Sequence, residues 1–388
     1  HVGIVRQNLP LMVAAYWLIA CSGNFSLAFV GFGFIWMSAL QRIVGSVLFL
    51  LGVLTLDPSR GLTGILSIQF LQGATMLAIG VFAFYGFIAR DIRHSLWERA
   101  KFNQLFRFGS KLFFVGGVQL AIEPMIKILV GQFGGLALVA VLEIVMRLIQ
   151  GFRGLIISVG QVVVTSFARR RSDRLTTQSA PLRDDFVKVT QLFLGGSLAT
   201  FSLLFSAGPL VSLLFLDAEA QAGAGTFFQP ILCVFGIAWF INTVSSSGYF
   251  LLMSLRMPRP LFFEVAIRAG LIALLGFPLG TFYGLGGVMT AVLLAFVFSA
   301  AYMFYISADA IGLRSTHVLS ELHKSKPTVF LPFFYGLALS IVWTVLPNVS
   351  AQPLMVGFYA IGLLSTSLLV IRFSRIGFLI RIVTELRA

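Results

Sequence analysis

The sequence predicts an all-α, polytopic integral membrane protein with about eleven transmembrane helices in two pseudo-repeated lobes. Three observations lead there. Of 388 residues, 58% are hydrophobic and only 11% charged, with a mean hydropathy of +0.96, far outside the range of soluble domains. Nearly uncharged runs of about 20 residues, the length that crosses a hydrocarbon core of roughly 30 Å as a helix, recur along the chain. A phrase is also repeated: SGNFSLAFV at 22–30 returns as SGYFLLMSL at 247–255.

The apolar runs lie at 11–33, 34–56, 64–89, 112–131, 136–168, 192–216, 227–251, 261–283, 287–307, 328–347 and 354–372. Arg42 interrupts the second, and Glu123 with Lys127 the fourth. The net charge of +14 does not point to nucleic acid, because the basic residues sit in short connections between spans rather than along one soluble face. Arg90, Arg93, Arg99, Lys101, Arg107 and Lys111 share the connection 90–111, and Arg169, Arg170, Arg171, Arg174, Arg183 and Lys188 share 169–188. Arg256 with Arg259, then Arg314, Lys324 and Lys326, mark two later ones. By the positive-inside rule these are cytoplasmic, and so is the C-terminus, while 132–135, 217–226, 283–287 and 348–353, which contain no Lys or Arg, face outward.

The repeated phrase belongs to a longer correspondence. After Gly23 come Arg42, Leu50-Leu51-Gly52 and Gly61-Leu62-Thr63-Gly64; after Gly248 come Arg268, Leu274-Leu275-Gly276 and Gly284-Leu285-Gly286-Gly287. Two three-helix units, 11–89 and 227–307, thus carry the same landmarks in the same order and run in the same direction. Internal repeats on this scale are how many transporters are built, with the substrate pathway near the bilayer midplane. The expected division is a partial N-terminal lobe of three helices at 1–89, a cytoplasmic linker at 90–111, a six-helix lobe at 112–310, and two additional helices with a basic tail at 325–388. The second unit is preceded by three spans without counterparts before the first, and the chain starts at His1 on the predicted outer side. The expectation is that three helices precede this sequence.

The stretch IEPMIKILVGQFGGLALVAVLEIVMRLIQGFRGLIISVGQVVVTSFARRRSD, residues 122–173, resembles helices seven and eight of the polysaccharide branch of the multidrug/oligosaccharidyl-lipid/polysaccharide (MOP) flippase superfamily. There an acidic residue in helix seven precedes a Gly-containing outer turn. A small-residue helix follows with a Y-E-x-A-x-R-like segment, another arginine and an L-x-P-x-x-A/S-R end. Glu123, Gly131, Gly134, Glu143, Arg147 and Arg153 stand at those places, with Leu142 where the tyrosine is usual and Thr165 where the proline is. The resemblance implies a MOP/MATE-like fold and a bacterial inner-membrane flippase. Its substrate would be a polyprenyl-pyrophosphate-linked oligosaccharide for O-antigen, capsule or exopolysaccharide. Implied partners are that lipid-linked substrate, the bilayer and other polysaccharide-assembly proteins, with no nucleic acid, no cofactor and no enzymatic step.

Ionisable residues inside spans cost roughly 2.5 kcal/mol or more and persist where they face protein or a wet cavity. Glu123 with Lys127, Glu143 with Arg147, and Glu264 with Arg268 each place an acid four residues before a base, on one helix face where they can pair. Each pair can serve as an interhelical clamp or as part of a substrate site. Lys127 lies near an outer helix end and Arg268 near an inner one, where both can snorkel to the headgroups. Arg153 and Arg42 have no acid at i−4 or i+4. Their planar guanidinium groups suit the bidentate recognition of the diphosphate that the resemblance implies. Gln72, Gln119, Gln150, Gln161 and Asn242 can bond sugar hydroxyls or neighbouring helices. Pro124 is expected to bend its helix.

Other chemistries find no support. No G-x-x-x-x-G-K-[ST] phosphate loop occurs. His1, His94, His317 and His323 lack partners at zinc-ligand spacing, and Cys21 with Cys233 fall in spans. Ile156-x-Ser158-x-Gly160 lacks the first glycine of a nucleophile elbow. The forty phenylalanines read as lipid-facing bulk. Two rival functions remain: a cation or drug exporter of the same superfamily, which requires uncompensated acids, and a membrane polysaccharide polymerase or ligase, which typically carries a large external loop.

Overall fold

The computed structural model describes residues 2–31, 34–55, 61–88, 99–173, 180–215, 224–313 and 330–345, together with Leu364. Regular structure among them is helical throughout, as it must be where apolar runs meet hydrocarbon and every backbone N–H and C=O has to be satisfied within the chain. The helices are α1 (Val2–Gly31), α2 (Ile35–Leu54), α3 (Gly61–Ala83), α4 (Arg99–Gly134), α5 (Leu136–Asp173), α6 (Ala180–Phe215), α7 (Phe228–Ser254), α8 (Pro258–Ala310) and α9 (Leu331–Val345). Six of them are long and apolar enough to cross a membrane. The span expected at 354–372 lies outside the described residues.

Two predicted spans, 261–283 and 287–307, form the two arms of α8. At 53 residues a straight α8 would reach about 80 Å, far more than a bilayer core. It turns back at Gly284, whose φ of 59° and ψ of −141° belong to a region that only glycine enters readily. Close by, a Cβ on Gly287 would lie 1.9 Å from the Leu279 carbonyl oxygen, so the return requires glycine there too. The YGLGG connection is thus a hairpin, as the sequence indicates. The basic connections are shorter than their charges suggest: residues 99–111 are already α4, while α5 continues to Asp173 and α6 starts at Ala180. α4 runs on through Pro124.

The chain separates into two compact units, His1–Phe102 and Asn103–Ala388. In the first, α1 crosses α3 where Gly80 admits Phe25, its missing side chain leaving 2.9 Å between an ideal Cβ and the Phe25 Cβ. Neutral polar groups pin the three helices. Thr63 Oγ1 donates to Asn8 Oδ1 at 2.9 Å, Ser26 and Ser38 share a hydrogen bond of 2.5 Å, and Gln41 Nε2 donates to the carbonyls of Ser22 and Met76 at 3.2 and 2.7 Å.

The second unit buries a continuous core that includes Val130, Leu142, Val145, Phe201, Phe235 and Phe296. α7 lies along the second arm of α8, with Gly248 against Met303 and Ser307. α9 joins through Phe333, whose ring centroid is 5.5 Å from that of Phe205 and 4.7 Å from that of Phe240, and through Ser340, which bonds Gln229. The phenylalanines therefore divide. Phe82, Phe113, Phe114 and Phe282 are exposed as lipid-facing residues should be, but Phe186, Phe193, Phe201, Phe205, Phe235 and Phe296 are fully buried. The reading of all forty as lipid-facing bulk is corrected accordingly: stacking α6, α7 and α8 leaves space that large rings fill.

Candidate functional site

Two groups of ionisable residues occupy the second unit. The first joins α4 to α5. Lys127 Nζ lies 2.8 Å from Glu123 Oε1 within its own helix and 2.5 Å from Glu143 Oε2 on the next, while Arg147 Nε donates to Glu143 Oε1 at 3.0 Å. Gln150 Nε2 completes the network by donating to Glu123 Oε2 at 3.2 Å. The i, i+4 pairs read from the sequence are present, and Lys127 additionally bridges the two helices. Lys127 is held by its two carboxylates instead of reaching for headgroups.

This network is not interior. Glu123 and Glu143 keep 36% and 34% of their side-chain surface exposed and Arg147 keeps 78%. Glu143 stands seven residues into α5 and Lys127 seven before the end of α4, about 10 Å inside the span by helical rise. Exposed charges at that depth do not face hydrocarbon; they require a wet or protein-covered surface.

The second group turns inward. Arg268 is 2% exposed and Glu264 3%, and the two form an ion pair along α8. Arg268 is satisfied on its other sides: Nε donates to Ser299 Oγ at 3.3 Å, Nη1 to Gln119 Oε1 of α4 at 3.4 Å, and the guanidinium carbon lies 4.8 Å from the Phe296 ring centroid. Snorkelling, expected from its place near an inner helix end, does not occur, because these partners compensate the charge where it is. Arg153 of α5 also points into the bundle. Its Nη2 donates to Asn242 Oδ1 at 3.1 Å, and its guanidinium carbon lies 4.6 Å from the Trp239 ring centroid. Trp239 and Phe296 meet edge to face at 5.1 Å. The order Arg153, Trp239, Phe296, Arg268 is thus a line of contacts, two aromatic rings with an arginine at either end.

The structure therefore separates the predicted residues. Glu123, Lys127, Glu143 and Arg147 form an exposed, locally neutral network; Glu264, Arg268 and Arg153 meet in the interior. Arg42 and Gln161 lie on α2 and α5, but their side chains are outside the described residues. Trp239, Phe296 and Ser299 carried no mark in the sequence. A tryptophan three residues before a buried Asn is the one signal that α7 turns a polar-tipped face to its neighbours.

The repeat is informative here. Aligning Gly61 with Gly284, an offset of 223, places Met76 opposite Ser299. Gln41 bonds Met76 in the first unit and Arg268 bonds Ser299 in the second. Gln41 and Arg268 thus each reach from the second helix of their three-helix segment to the third.

No protein-family model matches the chain, and no curated protein does. Solved structures do. A MATE transporter in complex with MaL6 superposes with a TM-score of 0.65 at 15% identity, covering 78% of this chain and 68% of the other. An outward-facing multidrug-resistance MATE family transporter of the MOP superfamily gives 0.64 at 15% identity, with the same coverage. A MOP superfamily transporter from Pyrococcus furiosus, described as having a binding pocket of reverse polarity that suggests a different function, gives 0.61 at 15% identity over 79% of this chain and 78% of its own. The chain is an all-helical, multi-pass membrane protein with the fold of the MATE transporters of the MOP superfamily.

Proposed function

We propose that this protein is a flippase that carries a polyprenyl-pyrophosphate-linked oligosaccharide across the bacterial inner membrane by alternating access. The fold supports a transporter. The cargo class is carried by one observation: each carboxylate within the apolar runs 112–131, 136–168 and 261–283, Glu123, Glu143 and Glu264, is taken by a base, and the base left over there is Arg153. Four bases, Lys127, Arg147, Arg153 and Arg268, thus face three acids. A cation or drug exporter would need an acid to spare. A surplus arginine favours an anionic cargo, and an exposed row of alternating donors and acceptors on α4 and α5 suits the hydroxyls of a glycan. Arg147, Lys127, Glu123, Glu143 and Gln150 would meet the sugars, and Arg153 would draw the diphosphate.

Deleting the gene and assaying lipid-linked oligosaccharide on each face of the inner membrane tests the reading. Complete repeat units accumulating on the cytoplasmic leaflet, with loss of surface polymer, is the expected result. Normal polysaccharide with heightened sensitivity to cationic drugs would instead establish an exporter. Units that reach the outer leaflet unjoined would identify a polymerase or ligase.

A further inference from the structure

Among the described residues, two buried donors beside each other have nothing to donate to. Arg153 Nε and the indole Nε1 of Trp239 both lack a hydrogen-bond partner, although their side chains are in contact through the guanidinium stacked on the ring. Buried polar groups are paired in nearly all interiors, and an orphaned group is a place to look for an unseen occupant. Trp239 is 6% exposed, so bulk water does not reach it freely.

The charge balance selects the kind of occupant. Glu264 is committed to Arg268, and among the described residues no carboxylate pairs with Arg153. Asn242 offers Arg153 only a neutral oxygen. The Trp239–Phe296 pair therefore lies between two guanidinium groups with a single carboxylate close by, which leaves one positive charge in a low-dielectric interior. A metal ion or an ammonium group would be repelled, and an indole N–H has no acceptor to offer it. An anionic acceptor answers both the two open donors and the surplus charge.

We propose that Arg153 Nε and Trp239 Nε1 together bind an anionic phosphate oxygen inside the second unit. It can come from free inorganic phosphate or from the diphosphate of a lipid-linked cargo; only the second source rests on the flippase reading. Trp239 is the discriminating residue, because its N–H adds a donor in a fixed direction to a guanidinium that alone would accept many geometries.

Calorimetric titration of the purified full chain in nanodiscs, once with sodium phosphate and once with farnesyl diphosphate, tests the site. Saturable binding of phosphate assigns the inorganic source, and binding of farnesyl diphosphate alone assigns the lipid headgroup. In either case Trp239→Phe, which keeps the ring and loses the N–H, and Arg153→Lys, which keeps the charge and loses the Nε donor, should each weaken binding by about tenfold or more. Binding of neither anion, or binding unchanged in the correctly folded Trp239→Phe variant, overturns the proposal. The transport reading fails separately: a chain that binds phosphate while its deletion leaves lipid-linked oligosaccharide evenly distributed keeps the anion site and loses the flippase.

Discussion

The first three helices and the α7–α8 segment follow one plan and differ in what they enclose. In both, the first helix crosses the third at a glycine, Gly80 opening the contact from α3 and Gly248 from α7. In both, a residue of the second helix reaches the third, Gln41 to Met76 and Arg268 to Ser299. Yet among the described side chains the first unit is pinned by amides and hydroxyls, while the second holds an ion pair and an extra arginine. Surroundings explain the difference. A charged interior needs neighbouring helices to supply partners, as α4 does with Gln119 for Arg268 and α7 with Asn242 for Arg153.

The largest test removes one half of the buried pair. Glu264→Leu leaves Arg268 charged and enclosed, and should cost about 3–5 kcal/mol, read as loss of folded protein in detergent. Adding Arg268→Gln, which removes the stranded charge, should restore most of it; no recovery would show that the loss came from packing and not from an unpaired charge. Next come the helix crossings. A Cβ at Gly248 would sit 2.3 Å from Ser307 Oγ and 3.0 Å from Met303 Cγ, and one at Gly80 2.9 Å from the Phe25 Cβ. Valine at either should cost about 1–3 kcal/mol by thermal denaturation, with Gly248 the worse because its neighbours are enclosed and cannot shift.

Arg153→Ala should cut translocation about tenfold or more with membrane insertion intact, and Arg153→Lys should recover only part, measured as surface polysaccharide at equal expression. Normal polymer in the alanine variant would remove Arg153 from the function and make the interiors of the two units equivalent in practice. The smallest effect on stability belongs to the exposed network. Glu143→Gln frees Arg147 and leaves Lys127 with Glu123 alone, but should change stability by less than about 1 kcal/mol, since those side chains remain solvated, while transport falls. A variant that unfolds would show the network to be a clamp.

Much of this was legible in the residues. Spans, their order and the α8 hairpin follow from apolar runs and a Gly-rich connection. The i, i+4 pairs follow from spacing, because helical geometry alone brings such residues together. What failed was direction. Arg268 and Lys127 look free to snorkel when only depth is considered, and neither does, because Phe296, Ser299 and Gln119 hold one and Glu143 on another helix holds the other. The phenylalanines were misread for the same reason: hydropathy cannot tell lipid from core when both are apolar.

The sequence by itself determined that the chain crosses a membrane many times as helices, that two segments repeat, and which charges sit inside the spans. These are properties of composition and local spacing, and hydrocarbon leaves the backbone no alternative to them. The tertiary structure alone decided which charges face inward and that Trp239 and Phe296 lie between two arginines. Each depends on how helices distant in sequence are rotated about their axes, and that rotation is set by packing among many side chains rather than by any local pattern.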